Sequence, residues 1–239
     1  RGIGLDDWYR LLNMGLRLPM LGASDYPACR KLGDCRTYVH YTPSPDDDAQ
    51  ATDAAPDMRA WLEAAAEGRS FVTSGPLLLL EVEGRPPGAV FHKSGSGPHP
   101  LRVRVRVRSL VAPVDRLQLL AGGEVVHDES LDAPPDASAG GDWIERELTL
   151  DVDRSTWIAA RAFSTTPTGA PDAESHTNPV YVYLNGRAPY DPAAADHLLA
   201  ELRRQQAYHA SRDAFPGQED VVGHFAAALD LLESLTAAD

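Results

Sequence analysis

The chain has little cysteine, little lysine and no long apolar run. Its 239 residues include 2 cysteines, Cys29 and Cys35. No second Cys pair accompanies them, which argues against a thiolate-only metal site. They lie six apart in CRKLGDC. They either bridge, closing a short loop, or stand as two independent small residues near a turn, and the spacing leaves both open. No apolar stretch reaches the roughly 18 residues that span a bilayer. The longest, Leu77-Leu78-Leu79-Leu80, has the size of a core strand. Positive charge is scarce, with 22 Lys and Arg against 35 Asp and Glu and a net charge of -13. That balance argues against nucleic acid or an anionic membrane surface as a partner. Also missing are the G-x-S-x-G nucleophile elbow, the GxxxxGK[ST] phosphate loop, the H-E-x-x-H zinc helix and any solenoid repeat.

What is present supports a packed protein. Hydrophobic residues make up 43% of the chain, enough for one large domain or two modest ones. The cations are 20 Arg and 2 Lys, with abundant Ala, Asp, Gly and Pro. That usage points to a GC-rich bacterial coding sequence. The chain starts at Arg1 and shows no basic leader followed by an apolar core, so it reads as a processed chain or a piece of a longer one. Compartment is not legible.

The first 75 residues alternate helix and strand signals. Asp6 is a fair N-cap for a helix Asp7–Met14, with Gly15 as its terminator. Arg17–Leu21 reads as a strand running into a Gly-Ala-Ser-Asp turn. Thr37–Tyr41 reads as another strand, and Thr42–Asp57 as a loop rich in Pro, Asp and Ala. Met58–Glu67 is a helix ended by Gly68. Such alternation is the signature of α/β units.

The texture then changes. Leu77–Val82, Ala89–His92, Leu101–Leu110, Arg116–Val126, Trp143–Val152, Thr156–Phe163 and Pro179–Leu184 read as strands separated by Gly, Pro, Asp and Ser. Leu101 to Arg108 alternates strictly, which puts the valines on one face and four arginines on the other. The arginine stripe is a binding face or a solvated face. The second is favoured, with Glu145 and Glu147 as partners if those strands are neighbours. Seven short strands without intervening helices indicate an antiparallel, immunoglobulin-like β-sandwich. Asp191 opens a helix to about Arg212, and Gln218–Ala237 forms a second with a strongly apolar side. Phe215-Pro216-Gly217 between them favours a helical hairpin.

Few residues could carry chemistry. Asp25 is the best metal candidate, because a hard carboxylate on a glycine-permitted turn can face into a site. Turn chemistry alone favours the other reading, in which Asp25 caps the turn by bonding its backbone amides. One carboxylate cannot hold a catalytic metal. His40 is a strand residue without neighbouring ligands. His92, His99 and His127 do not cluster. His176 reads as a loop anchor, and His209 and His224 as surface residues of the last helices. Trp61 and Trp157 sit in apolar patterns and read as core, which leaves Trp143 as an exposed platform for sugar stacking. No catalytic residue is assigned, and no substrate-binding residue.

The segments RLPMLGASDYP, GDCRTYV, MRAWLEAAAEGRSFVTSGPLL with a later PPG, STWIAARA and HTNPVYVYLNG together resemble the C-terminal half of a PHP-type metallohydrolase. More narrowly they resemble the carbaryl-hydrolase-like (CehA/McbA) branch, over roughly Asp7 to Gly186. The resemblance implies a distorted barrel followed by a β-rich domain. It also implies a divalent metal centre (Zn, Mn or Fe) whose bridging hydroxide attacks an ester, amide, carbamate or phosphate. Asp25 matches the last metal-binding aspartate of that barrel. Two departures stand out: Tyr26 occupies a position where many such proteins have histidine, and the early His-x-His motif with the later Glu and His ligands is absent.

The expected fold class is therefore α+β. Residues 1–75 are read as the remnant of a PHP-type α/β barrel, 76–190 as the sandwich and 191–239 as the hairpin. The expected function is the C-terminal segment of a metal-dependent hydrolase, inactive without its upstream ligands. Its expected partner is the upstream part of the same barrel or a second copy of the chain. The alternatives are a non-catalytic sandwich that binds carbohydrate or protein, and a segment that oligomerises through its last helices.

Overall fold

A computed structural model describes residues 4–25, 32–41, 57–109, 113–131, 142–165, 171–212 and 215–236. The chain divides into two compact units, Leu18–Arg187 and a smaller one formed by Arg1–Arg17 with Ala188–Asp239.

The smaller unit is helical. Helix α1 (Leu5–Asn13) starts from Gly4, which takes φ 90, and not from Asp6. Asp6 and Asp7 fall in its first turn, where carboxylates meet the positive end of the helix dipole. Helix α3 (Pro192–Ser211) is capped by Asp191, whose side chain accepts from the Ala193 amide at 3.0 Å, with Pro192 just inside. Helix α4 (Gln218–Thr236) follows, as the apolar spacing predicts. Met14, Ala195, Leu198, Leu199, Leu229 and Leu232 form this unit's core. Arg203 on α3 reaches Glu233 on α4 at 2.8 Å. Among the described residues no helix is long and apolar enough to cross a membrane.

The larger unit is a β-sandwich-like pair of sheets with one helix. The strands are β1 (Arg36–Val39), β2 (Ser70–Thr73), β3 (Leu77–Val82), β4 (Val90–Lys93), β5 (His99–Arg108) and β6 (Arg116–Ala121). They continue with β7 (Glu124–Ser130), β8 (Ile144–Val152), β9 (Thr156–Thr165), β10 (Pro171–Thr177) and β11 (Val180–Leu184). Helix α2 (Met58–Ala66) precedes β2, and the Asp57 side chain caps it by accepting from the Arg59 and Ala60 amides.

Strands β3, β5 and β8 make a three-stranded antiparallel sheet. Leu101, Val103, Val105 and Val107 of β5 are at most 1% exposed, while the arginines between them face outward. The other sheet has eight strands. Its spine is β9, which pairs with β10 and β11 along one edge and with β6 along the other. Strand β4 joins β11 in parallel, and β1 and β2 extend the sheet from β10. The core between the sheets includes Phe71, Leu80, Val105, Leu119, Ile158 and Val182.

Three expectations are corrected here. The Arg116–Val126 segment is a hairpin turned by Gly122 and Gly123, both at positive φ, with β7 returning beside β6. Strand β10 replaces the expected loop around His176. Residues 17–21 are extended but belong to no strand. Side chains stand in for a ladder there: Asn178 accepts from the Met20 amide at 2.7 Å and donates to the Met20 carbonyl at 2.9 Å. Strands β1 and β2 are antiparallel and share a sheet with β9, β10 and β11, so strand pairing runs across residue 75. The expected loop 42–57 lies outside the described residues except for Asp57. So does Cys29, while Cys35 is a half-buried free thiol.

Candidate functional site

The turn that ends in Asp25 is pinned from beneath. Gly22 donates to the Thr37 hydroxyl at 2.8 Å, and that hydroxyl donates back to the Gly22 carbonyl at 2.9 Å. A Cβ at Gly22 would collide with Val72 Cγ1 and Cys35 Sγ, so only glycine lets the segment lie this close to β2. Ser24 accepts from the Gly33 amide at 3.3 Å. Asp25 itself takes φ 51, a left-handed conformation that aspartate tolerates, and its side chain is exposed. Burial pushes the nearby Cys35 thiol above its usual value, which favours the inert protonated form.

A metal needs more donors than this. Among the described residues no group of three or more His, Cys, Asp and Glu is placed to hold one. Among the described residues the donor set does not fit a catalytic metal, and Asp25 is the one ligand expected from the sequence.

The segments that carry the resemblance do meet. WIAARA lies on β9, directly beside HTNPVYV on β10 and β11: His176 is opposite Arg161, and Val180 is opposite Ile158. GRSFVTSGP supplies β2, which pairs with β10. Asn178, fully buried, ties them together. It donates to Ser70 Oγ at 2.7 Å on the β2 side and holds Met20, just ahead of the Asp25 turn. Thr73 closes the S-G-P turn, its hydroxyl donating to the Pro76 carbonyl at 2.6 Å and accepting from the Gly75 amide at 2.8 Å.

Along β10, β9, β6 and β7 runs a polar line that the sequence reading missed. His176, Arg161, Gln118 and Asp128 are successive cross-strand partners. Arg161 donates to Gln118 at 2.6 Å, and Gln118 donates to Asp128 at 3.1 Å. Arg116 donates twice to Asp128 and holds its carboxyl down at about 2. Burial, helped by the Arg161 charge, lowers His176 to about 4, although its Nδ1–H donates to the Thr177 carbonyl at 2.7 Å. An arginine inside the apolar run WIAARAF was the available signal, since a buried guanidinium needs partners.

The remaining candidates are dispersed. His40 is exposed at the end of β1, and its amide donates to the Arg69 carbonyl at 2.6 Å. His92 is exposed, edge-on to Tyr183. His99 opens β5 half-buried. His127 lies 3.5 Å from Glu129. His209 is not a plain surface residue, because it is half-buried and stacks on Phe225 with centroids 5.5 Å apart. His224 is exposed, its Nδ1–H donating to the Asp220 carbonyl at 2.6 Å. Trp157 is fully buried, Trp61 only partly, and Trp143 is 38% exposed with the Arg106 guanidinium 5.5 Å from its ring centroid.

No protein-family model and no curated protein matches the chain. Among solved structures it is similar to fibronectin(III)-like modules of Clostridium thermocellum CbhA, at 16% identity and a TM-score of 0.28. That alignment covers 46% of this chain and 46% of the other, so the chain spans about half the length of the protein it matches. Likeness at that level carries no argument about function.

Proposed function

We propose that the chain is the C-terminal segment of a PHP-type, CehA/McbA-like metal-dependent hydrolase acting on an ester, amide, carbamate or phosphoester bond. In this reading residues up to about 75 are the end of the catalytic barrel. Asp25 is one ligand of a divalent metal, and the rest of the ligand set comes from upstream sequence. The observation that carries the reading is the anchoring of the Asp25 turn. Asn178 and Thr37, from two segments of the resemblance, hold the backbone that leads to this exposed carboxylate. By itself the chain has no hydrolytic activity in this reading.

The rival reading, a sandwich that stacks a sugar on Trp143, has less support, because Arg106 already stands over that ring.

The test is an Asp25→Ala substitution in the full-length gene product, read by elemental analysis and by hydrolysis of ester and phosphodiester substrates. Loss of metal and turnover with an unchanged thermal midpoint is expected. A variant that keeps both sinks the proposal, as does a full-length protein that never holds metal.

A further inference from the structure

The eight-stranded sheet extends beyond the three-stranded sheet packed on it. Tyr38 on β1 and Phe71 on β2 are cross-strand partners with rings stacked 5.1 Å apart and 7° from parallel. Phe71 belongs to the core, whereas Tyr38 is 41% exposed. The inner apolar face therefore runs out from under its cover at β1. This aromatic pair and β3 line a cleft of about 320 Å³, together with Pro86 and Pro87. Its volume is at the small end of ligand sites, and its walls are mainly apolar.

The charged groups on the cleft are Arg69, Arg106 and Glu81, with His40 beside them. Arg106 is opposite Glu145 in the strand register. Glu145, however, gives both its oxygens to Arg104, at 2.8 and 2.9 Å. Arg106 is left against the Trp143 ring, with no hydrogen bond or ion pair among the described residues. Arg69 reaches Glu67 at 3.2 Å through one nitrogen, while its Nε is buried without a hydrogen-bond partner among the described residues. Glu81 is drawn toward Arg104, 3.8 Å away. A flat aromatic wall and two incompletely satisfied guanidinium groups thus share one small cavity.

We propose that this cleft binds a small aromatic carboxylate, its ring against Tyr38 and its carboxylate on Arg106 and Arg69. Offset stacking selects the planar ring, and a guanidinium is suited to two-pronged recognition of a carboxylate. The site does not involve Asp25 and stands or falls independently of the hydrolase reading.

The experiment titrates the full 239-residue chain with benzoate, benzamide and cyclohexanecarboxylate, by calorimetry and by amide shifts at Tyr38, Arg69 and Phe71. Benzoate is expected to bind and shift these amides, with benzamide and cyclohexanecarboxylate each weaker by about tenfold. Arg106→Met is expected to lose about tenfold for benzoate and nothing for benzamide. Tyr38→Leu is expected to remove the preference for benzoate over cyclohexanecarboxylate. The proposal is overturned if benzoate at millimolar concentration moves none of these amides, or if Arg106→Met binds it like the parent.

Discussion

The two sheets share one core, and their outer faces differ. On the three-stranded sheet that face is exposed and carries alternating arginine and glutamate. Arg102 is 85% exposed, and Arg104 and Glu145 about 40%. On the eight-stranded sheet the outer face carries Trp157, Arg161, His176 and Gln118, none more than 7% exposed. An ion pair in water gains little over its separately solvated partners, so the first face tolerates loss of a pair. A polar group out of water must find its partner inside the protein, so on the second face each missing bond carries a desolvation penalty. The same residue type, arginine, is nearly neutral on one sheet and demanding on the other.

The largest effect should come from Trp157, fully buried on the second face. Trp157→Ala removes the biggest of the buried side chains and should lower unfolding stability by about 3–5 kcal/mol in a urea titration. A loss under about 1 kcal/mol would mean that this face collapses freely around the gap, and the contrast would fail.

Acid separates the buried end of the eight-stranded sheet's polar line, at His176, from its half-exposed end, at Asp128. The folded chain keeps His176 neutral down to about 4, whereas the free side chain takes its proton near 6.5. Below 6.5 the unfolded state therefore binds the extra proton, and stability falls as pH drops from 6.5 toward 4 by about 3 kcal/mol, with a plateau above. Asp128 works in a lower window. Its pKa is depressed from 3.8 to about 2, so its contribution is complete above 3.8 and lost as pH falls toward 2. Stability measured against pH should show two separate descents. His176→Gln should erase the upper one and leave the lower. A single descent below pH 4 in the parent protein would show that His176 is not sealed from water.

The contrast also explains what could be read in the sequence. The three-stranded sheet announced itself: alternation survives only where one face meets water, and Leu101 to Arg108 displays it residue by residue. Of the two expected arginine partners, Glu145 binds Arg104, while Glu147 forms no ion pair with the stripe among the described residues. Strand β9 was found as a strand, but its faces were not separable, because Trp157, Ile158, Ala159 and Ala160 are all buried and leave no period. Strand β10 is not legible because Pro171-Asp-Ala-Glu-Ser-His-Thr177 has Thr177 as its one β-branched residue and no alternation, and is specified by its neighbours. At the candidate site, Asp25 was legible through its small-residue turn. Its supports, Asn178 and Thr37, lie 153 and 12 positions further on, and no local pattern joins them to it. The cleft was invisible because it depends on how far one sheet overhangs the other.

The smallest effect on stability should be at Arg104, which bridges to Glu145 on the exposed face. Hydrogen bonding to Arg104 holds the Glu145 carboxyl below the usual carboxylate range, yet both groups are open to solvent, where water and salt replace the partner. Arg104→Gln should therefore leave the thermal midpoint unchanged at moderate salt. A clear drop would mean that this face is not the tolerant one. The substitution has a second consequence where the two sheets part. With Arg104 gone, Glu145 is released to the arginine opposite it in register, Arg106. Arg106 would then be neutralised and drawn from the cleft, so benzoate binding should weaken while the fold does not. Unchanged benzoate affinity in Arg104→Gln would show that Arg106 keeps its place over Trp143 without Arg104 occupying Glu145.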